Sequence, residues 1–152
     1  MPKLPTQHFG LLEYEETAEV EFRAGIPGFE HETRFVIVEP RSQAPLAYLQ
    51  SMANPALCFL TLPVLSVDPR YRLRLSADDL RALGFEESSQ PVINQDVVCL
   101  GLITIPEEGP LTVNLMAPIV ISRRTRQAVQ AIQTDSAYSF RHPLPTPQMT
   151  EA

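Results

Sequence analysis

The stretch "DVVCLGLITI", residues 96–105, is apolar at both parities: Val97, Cys99 and Ile103 alternate with Val98, Leu100 and Leu102. A strand with one wet face alternates apolar and polar residues, so a run that does not alternate is covered on both faces. Gly101 in its middle permits close packing or a bend. A short chain with such a strand at its centre is predicted to curl its sheet. The fold expected is mainly β, a small closed or nearly closed β-barrel-like domain of antiparallel or mixed strands.

The flanking sequence agrees. Fifteen prolines and six glycines cut the 152 residues into short apolar pieces at the spacing of an all-β domain. Strands are predicted at 7–14, 17–23, 34–39, 46–51, 57–63, 71–75, 96–105, 111–122 and 126–132. One short helix is expected near 77–83, in "LSADDLRALGF". Ser76 is an N-cap with Asp79 three residues on, Leu75 and Leu80 form a hydrophobic staple, and Gly84 stands at C′. The length suits one domain, 1–144, followed by a polar, proline-rich tail, "PTPQMTEA" at 145–152, of disordered composition.

Composition narrows the function. No apolar run approaches the ~20 residues that cross a bilayer, and "MPKLPTQHFG" has no secretory h-region, so the protein is expected in the cytoplasm, away from membranes. Cys58 and Cys99 lie far apart in apolar runs, the pattern of buried structural thiols with no metal or disulfide role. The formal net charge is −6. Seven carboxylates fall between Glu13 and Glu32 against Arg23, whereas Arg123, Arg124, Arg126 and Arg141 gather near the other end. That sign opposes direct nucleic-acid binding. Glu19 and Glu21 alternate with Val20 and Phe22, so these carboxylates are expected to share a solvated strand face with Glu15.

No phosphate cradle, nucleophile elbow, metal-protease signature or short-spaced cysteine pair occurs, and no catalytic residue or cofactor is assigned. His8, His31 and His142 are scattered in polar surroundings. Glu107 and Glu108 sit in the turn "PEEGP". The alternative to a binding module is a small-molecule-binding barrel or an enzyme using Glu107, Glu108 or His142 at a barrel mouth.

Two stretches carry apolar residues where a simple barrel has no need of them. In "FRAGIPGFE", 22–30, the turn residues Gly25, Pro27 and Gly28 hold Ile26 and Phe29, which either plug the barrel end or meet a partner. In "LTVNLMAPIVIS", 111–122, Leu111, Val113, Leu115, Ile119 and Ile121 share one parity and read as core. Thr112, Asn114, Met116 and Pro118 share the other, a face suited either to a partner or to cover by the same chain.

These segments, with "RFVIVE", "LAYLQSMANPALCFLTL", "LSADDLRALGF" and "YSFRHPL" in order, resemble the flagellar assembly factor FliW family over nearly the whole chain. The resemblance implies a non-enzymatic regulator, a monomer when free, that binds two proteins in turn. One is flagellin before export; the other is CsrA, a dimeric RNA-binding repressor of flagellin translation, antagonised away from its RNA site. On that reading the partner-binding residues are Ile26, Pro27, Phe29, Asn114 and Met116, and Glu15, Glu19 and Glu21 form an acidic face that repels RNA.

Overall fold

The computed structural model describes residues 1–134 and 137–144; the expected tail at 145–152 lies outside them. Among the described residues are ten strands: β1 Lys3–Thr6, β2 Gly10–Glu13, β3 Glu19–Glu21, β4 Arg34–Val38, β5 Ala47–Ser51, β6 Cys58–Pro63, β7 Val97–Thr104, β8 Thr112–Ser122, β9 Ala128–Gln130 and β10 His142–Pro143. Two helices, α1 Val64–Val67 and α2 Ala77–Leu83, join β6 to β7. β1 and β2 form a separate hairpin. The other strands make one sheet in the order β10–β8–β7–β6–β5–β4–β3, with β9 also on β8.

Every ladder of that sheet is antiparallel. It curls until its ends meet: Glu21 on β3 bridges Gln127, just before β9, in a parallel sense, and the Glu21 N–H donates to Arg126 O at 3.0 Å. The seven strands from β3 to β9 thereby enclose a filled lumen. Phe22, Phe35, Leu49, Ile119 and Ile121 are wholly buried there with Val20, Ala47, Leu100 and Ala128. A second apolar cluster lies outside the barrel wall. Val97, Cys99, Val113, Leu115 and Val120 meet Val64 of α1, Leu80 and Leu83 of α2, and Tyr71 and Leu75 between the helices. β7 is thus covered on both faces, as its unbroken apolarity predicts.

Gly101 does what was expected of it. A Cβ at this position would lie 2.4 Å from Val113 Cγ2 and 3.3 Å from Asn114 O. Opposite it the register jumps, because Leu100 pairs with Ile119 but Leu102 pairs with Asn114. The strand β8 therefore bulges over Leu115–Pro118, and side-chain parity changes across the bulge. Before it Val113 enters the outer cluster, as does Leu115 at its start; after it Val120 does, while Ile119 and Ile121 turn into the lumen. The expected single core parity for 111–122 is corrected here: Pro118 is buried, and Asn114 is half-buried with its Oδ1 accepting from the N–H groups of Met116, 3.1 Å, and Ala117, 2.9 Å.

The helix α2 has its expected bounds. Ser76 Oγ accepts from Asp79 N–H at 3.1 Å, and Gly84 takes φ +86°. Residues 71–75 are not a strand. Burial alternates along them, but their N–H groups bond side chains in place of a neighbouring strand: Arg72 N–H to Tyr138 Oη at 2.7 Å, Arg74 N–H to Gln133 Oε1 at 2.8 Å and Leu75 N–H to Gln90 Oε1 at 2.9 Å. The expected strand 7–14 is the second half of the β1–β2 hairpin, turned at Gly10 with φ +66°. The strand predicted at 17–23 shrinks to β3, preceded by a 3-10 turn at Glu16–Ala18. Cys99 is buried and Cys58 half-buried, and burial pushes their thiols up to about 12 and about 11.

Three substitutions test this reading of the bulge. Gly101→Ala is expected to cost about 1–3 kcal/mol in urea unfolding through its clash with Val113. Because Val113→Ala removes the clashing methyl, the double variant is expected to lose less than the sum of the two single losses. Asn114→Ala leaves two N–H groups of the bulge without their acceptor and is expected to cost about 1–2 kcal/mol.

Candidate functional site

The β3–β4 loop is built by three close constraints. Phe22 N–H donates to Thr33 O at 2.7 Å, closing the loop at its base, and Gly25 N–H donates back to Phe22 O at 2.8 Å. Gly25 has φ +71°, and a Cβ there would stand 2.5 Å from Glu30 Cα, so no other residue fits. At the tip Phe29 N–H donates to Ile26 O at 2.6 Å around Pro27 and Gly28, the latter at φ +88°. Proline followed by a left-handed glycine is the composition of a type II turn. Gly28 N–H donates to Glu30 Oε2 at 3.0 Å, which holds the Glu30 carboxyl below its ordinary range.

This turn separates the two apolar residues by function. Ile26 points inward, 2% exposed, and belongs to the lumen cluster. It is the plug, and its expected role as a partner contact is corrected because its side chain is out of reach. Phe29 points outward and remains 42% exposed. Its ring rests edge-on against Phe59 at 5.3 Å; Phe59 meets Phe35 at 5.9 Å, and Phe35 meets Phe22 at 5.5 Å. An aromatic chain therefore runs from the surface into the core and fixes the exposed ring from beneath. Phe59 carries no local signal of this role beyond its place in the apolar strand "CFLTLP". Beside Pro27, which is exposed, a groove of about 260 Å³ opens between Arg23 of the loop, Asp79 and Ala82 of α2, and Val129 of β9.

The second predicted face is less open. Met116 is half-buried, and residues 131–133 run alongside the bulge, with Ala131 N–H donating to Pro118 O at 2.8 Å and Gln133 N–H to Met116 O at 2.6 Å. The chain itself covers much of what Asn114 and Met116 would present. The acidic face is also reorganised. Glu19 is half-buried and pairs with Arg34 at 2.5 Å, and Glu21 Oε1 accepts from Gln127 Nε2 at 2.9 Å. Glu15 is exposed, outside the strand. The expectation that all three face water together is corrected, since the β3–β4 pairing brings Arg34 against Glu19 and closure of the barrel brings Gln127 against Glu21.

Glu107 and Glu108 are exposed in the β7–β8 turn, and His8 and His31 are exposed. His142 is half-buried instead, at the edge of an apolar groove lined by Leu60, Leu62, Ile103 and Leu144. Neither the carboxylate pair nor the histidine opens into the barrel lumen, which is filled by side chains.

Comparison with known proteins agrees with this architecture. The family model described as FliW protein matches residues 3–144. The chain is 33% identical over 150 residues to the flagellar assembly factor FliW of Syntrophomonas wolfei, covering 98% of this chain and 92% of the relative. It is 36% identical to the flagellar assembly factor FliW of Geobacillus kaustophilus, covering 93% and 94%. A crystal structure of the flagellar assembly factor FliW superposes with a TM-score of 0.78 at 33% identity, over 97% of this chain and 99% of that one. With a curled sheet of the same kind and a match along nearly its whole length, the chain belongs to the FliW family of flagellar assembly factors.

Proposed function

We propose that this protein is a non-enzymatic, partner-switching regulator in the cytoplasm, a monomer when free, that binds flagellin and the RNA-binding repressor CsrA in turn. Flagellin holds the factor until export depletes it; the freed factor then binds CsrA away from its RNA site and restores flagellin translation. The observation that carries the protein-binding reading is Phe29: a large apolar ring, exposed yet braced by an aromatic chain, on a loop whose backbone is fixed at both ends. Such a ring pays little conformational entropy when a partner covers it, which is the property of a binding anchor. Pro27 lies beside it, and Asn114 and Met116 contribute what the bulge leaves accessible.

Calorimetric titration of purified CsrA and flagellin from the same organism tests the reading. Each is expected to bind alone, and prior saturation with flagellin is expected to block CsrA. Neither protein binding would overturn the proposal. Phe29→Ala is expected to leave the unfolding midpoint nearly unchanged while losing about 2 kcal/mol or more of partner affinity. Ile26→Ala, which empties a lumen position, is expected to cost about 2–5 kcal/mol of stability.

The acidic face supplies the proposed route to RNA release. Carboxylates held near the RNA path on CsrA oppose phosphates, at about 1 kcal/mol for each close approach in high dielectric. Glu15 forms no ion pair among the described residues, whereas Arg34 offsets the charge of Glu19. Glu15→Lys is therefore expected to preserve CsrA affinity but to weaken displacement of RNA from a preformed CsrA–RNA complex, and the difference is expected to vanish toward 1 M salt, where the Debye length is ~3 Å. Equal displacement by both proteins at low salt would exclude this electrostatic route.

A further inference from the structure

The segment Arg70–Leu75 between α1 and α2 is neither strand nor loop in the ordinary sense. Tyr71 and Leu75 are buried, Leu73 is half-buried, and Arg72 and Arg74 are exposed. This period of two puts both arginines on one side. Three side chains anchor the backbone, and Gln90 spends both ends of its amide doing so. Gln90 accepts from Leu75 N–H and donates to Leu75 O at 3.0 Å; Gln133, itself buried, accepts from Arg74 N–H and donates to Ala131 O at 3.2 Å. Tyr138 accepts from Arg72 N–H and stacks on Tyr71 at 4.2 Å.

Beside this rail lies a trough of about 540 Å³, lined by Arg72, Leu73, Arg74, Gln90, Gln133 and Thr134. Among the described residues no carboxylate contributes to its walls, in a chain whose net charge is −6. Among the described residues neither guanidinium forms an ion pair, although Arg34 and Arg81 do. The amides of the trough are committed to the backbone, so the two guanidinium groups are its main recognition elements.

We propose that this trough docks an extended acidic peptide segment of a partner protein, with carboxylates two residues apart engaging Arg72 and Arg74. The spacing follows from backbone geometry: residues i and i+2 of an extended chain are about 6.6 Å apart, on the trough and on the peptide alike. Guanidinium groups bind carboxylates as planar forks, so Arg serves here better than Lys. A nucleic acid fits less well. Two arginines neutralise few phosphates, and a long polyanion also meets the field of the carboxylates between Glu13 and Glu32, which a short peptide escapes. This surface is separate from the Phe29 loop, and its test does not depend on the identity of any partner there.

The experiment is an NMR titration of the isotopically labelled full chain with a capped peptide of alternating Glu and Ser, four Glu in all. Saturable amide shifts are expected at Arg72–Leu75, Gln90 and Thr134. Affinity is expected to fall about tenfold or more in Arg72→Gln/Arg74→Gln at an unchanged unfolding midpoint, and to weaken as salt rises. The peptide with Lys in place of Glu is expected to produce no saturable shift. Absence of saturable shifts with the Glu peptide, equal affinity for the double variant, or stronger shifts with an oligouridylate of equal charge would each overturn the proposal.

Discussion

The barrel depends on how residues 122–127 turn. Arg126 N–H donates to Ser122 O at 2.9 Å, Thr125 N–H donates to Ser122 Oγ at 3.2 Å, and Arg126 takes φ +61°, a left-handed conformation unusual for a residue with a side chain. That conformation faces the Arg126 carbonyl toward the Glu21 N–H and closes the sheet. The side chains reinforce the seam: Gln127 Nε2 bonds Glu21, and Arg126 Nε reaches Glu19 O at 3.4 Å. The same turn grips α2, with Thr125 Oγ1 donating to Leu83 O at 3.1 Å and Arg124 Nη2 to Gly84 O at 3.0 Å. One tight turn thus joins the first barrel strand, the last hairpin and the main helix. The cost of a strained φ is offset by seven hydrogen bonds. Burial lowers the Arg126 pKa, Arg123 nearby adds to this, and Glu39 opposes it.

A second constraint is the bulge in β8. An unbroken strand of this length presents one parity to the lumen and the other to the outside. The bulge lets β8 hand Val113 and Leu115 to the outer cluster and Ile119 and Ile121 to the inner one, although all four are odd-numbered. The devices that permit this are Gly101, which has no side chain to meet Val113, and Asn114, which caps the displaced backbone. Two apolar clusters then share a wall only one sheet thick, and the packing outside it sets the position of α2 beside the Phe29 loop.

What was legible in the sequence was what local chemistry decides. The helix Ala77–Leu83 was read to the residue, because its Ser76 cap and Gly84 stop are local signals. The central strands β4, β5, β6, β7 and β8 were each found within a residue or so, since burial imposes their pattern. Misreadings arose where a distant contact decided the outcome. Residues 71–75 have strand composition, but the side chains of Gln90, Gln133 and Tyr138, remote in sequence, take their hydrogen bonds. The bulge at Leu115–Pro118 depends on a glycine in another strand, and no periodicity within 111–122 betrays it. At the site, the GIPGF turn was evident from its glycines and proline, whereas the division of labour between Ile26 and Phe29 required the position of Phe59. The partners of Glu19 and Glu21 are hidden for the same reason, since Arg34 reaches Glu19 only once β3 and β4 pair and Gln127 reaches Glu21 only after closure.

Closure at Glu21 also governs the manner in which another protein can approach. An open sheet offers its marginal strands as templates, and many peptides are captured by adding one more strand along such a margin. In this barrel the backbone of β3 is engaged by β4 on one side and by the Arg126–Gln127 segment on the other, and β8 is flanked by β7, β9 and β10. Main-chain recognition is largely spent inside the molecule. A partner that reads this wall must therefore read side chains, and its selectivity rests on which rings, guanidinium groups and carboxylates the wall displays.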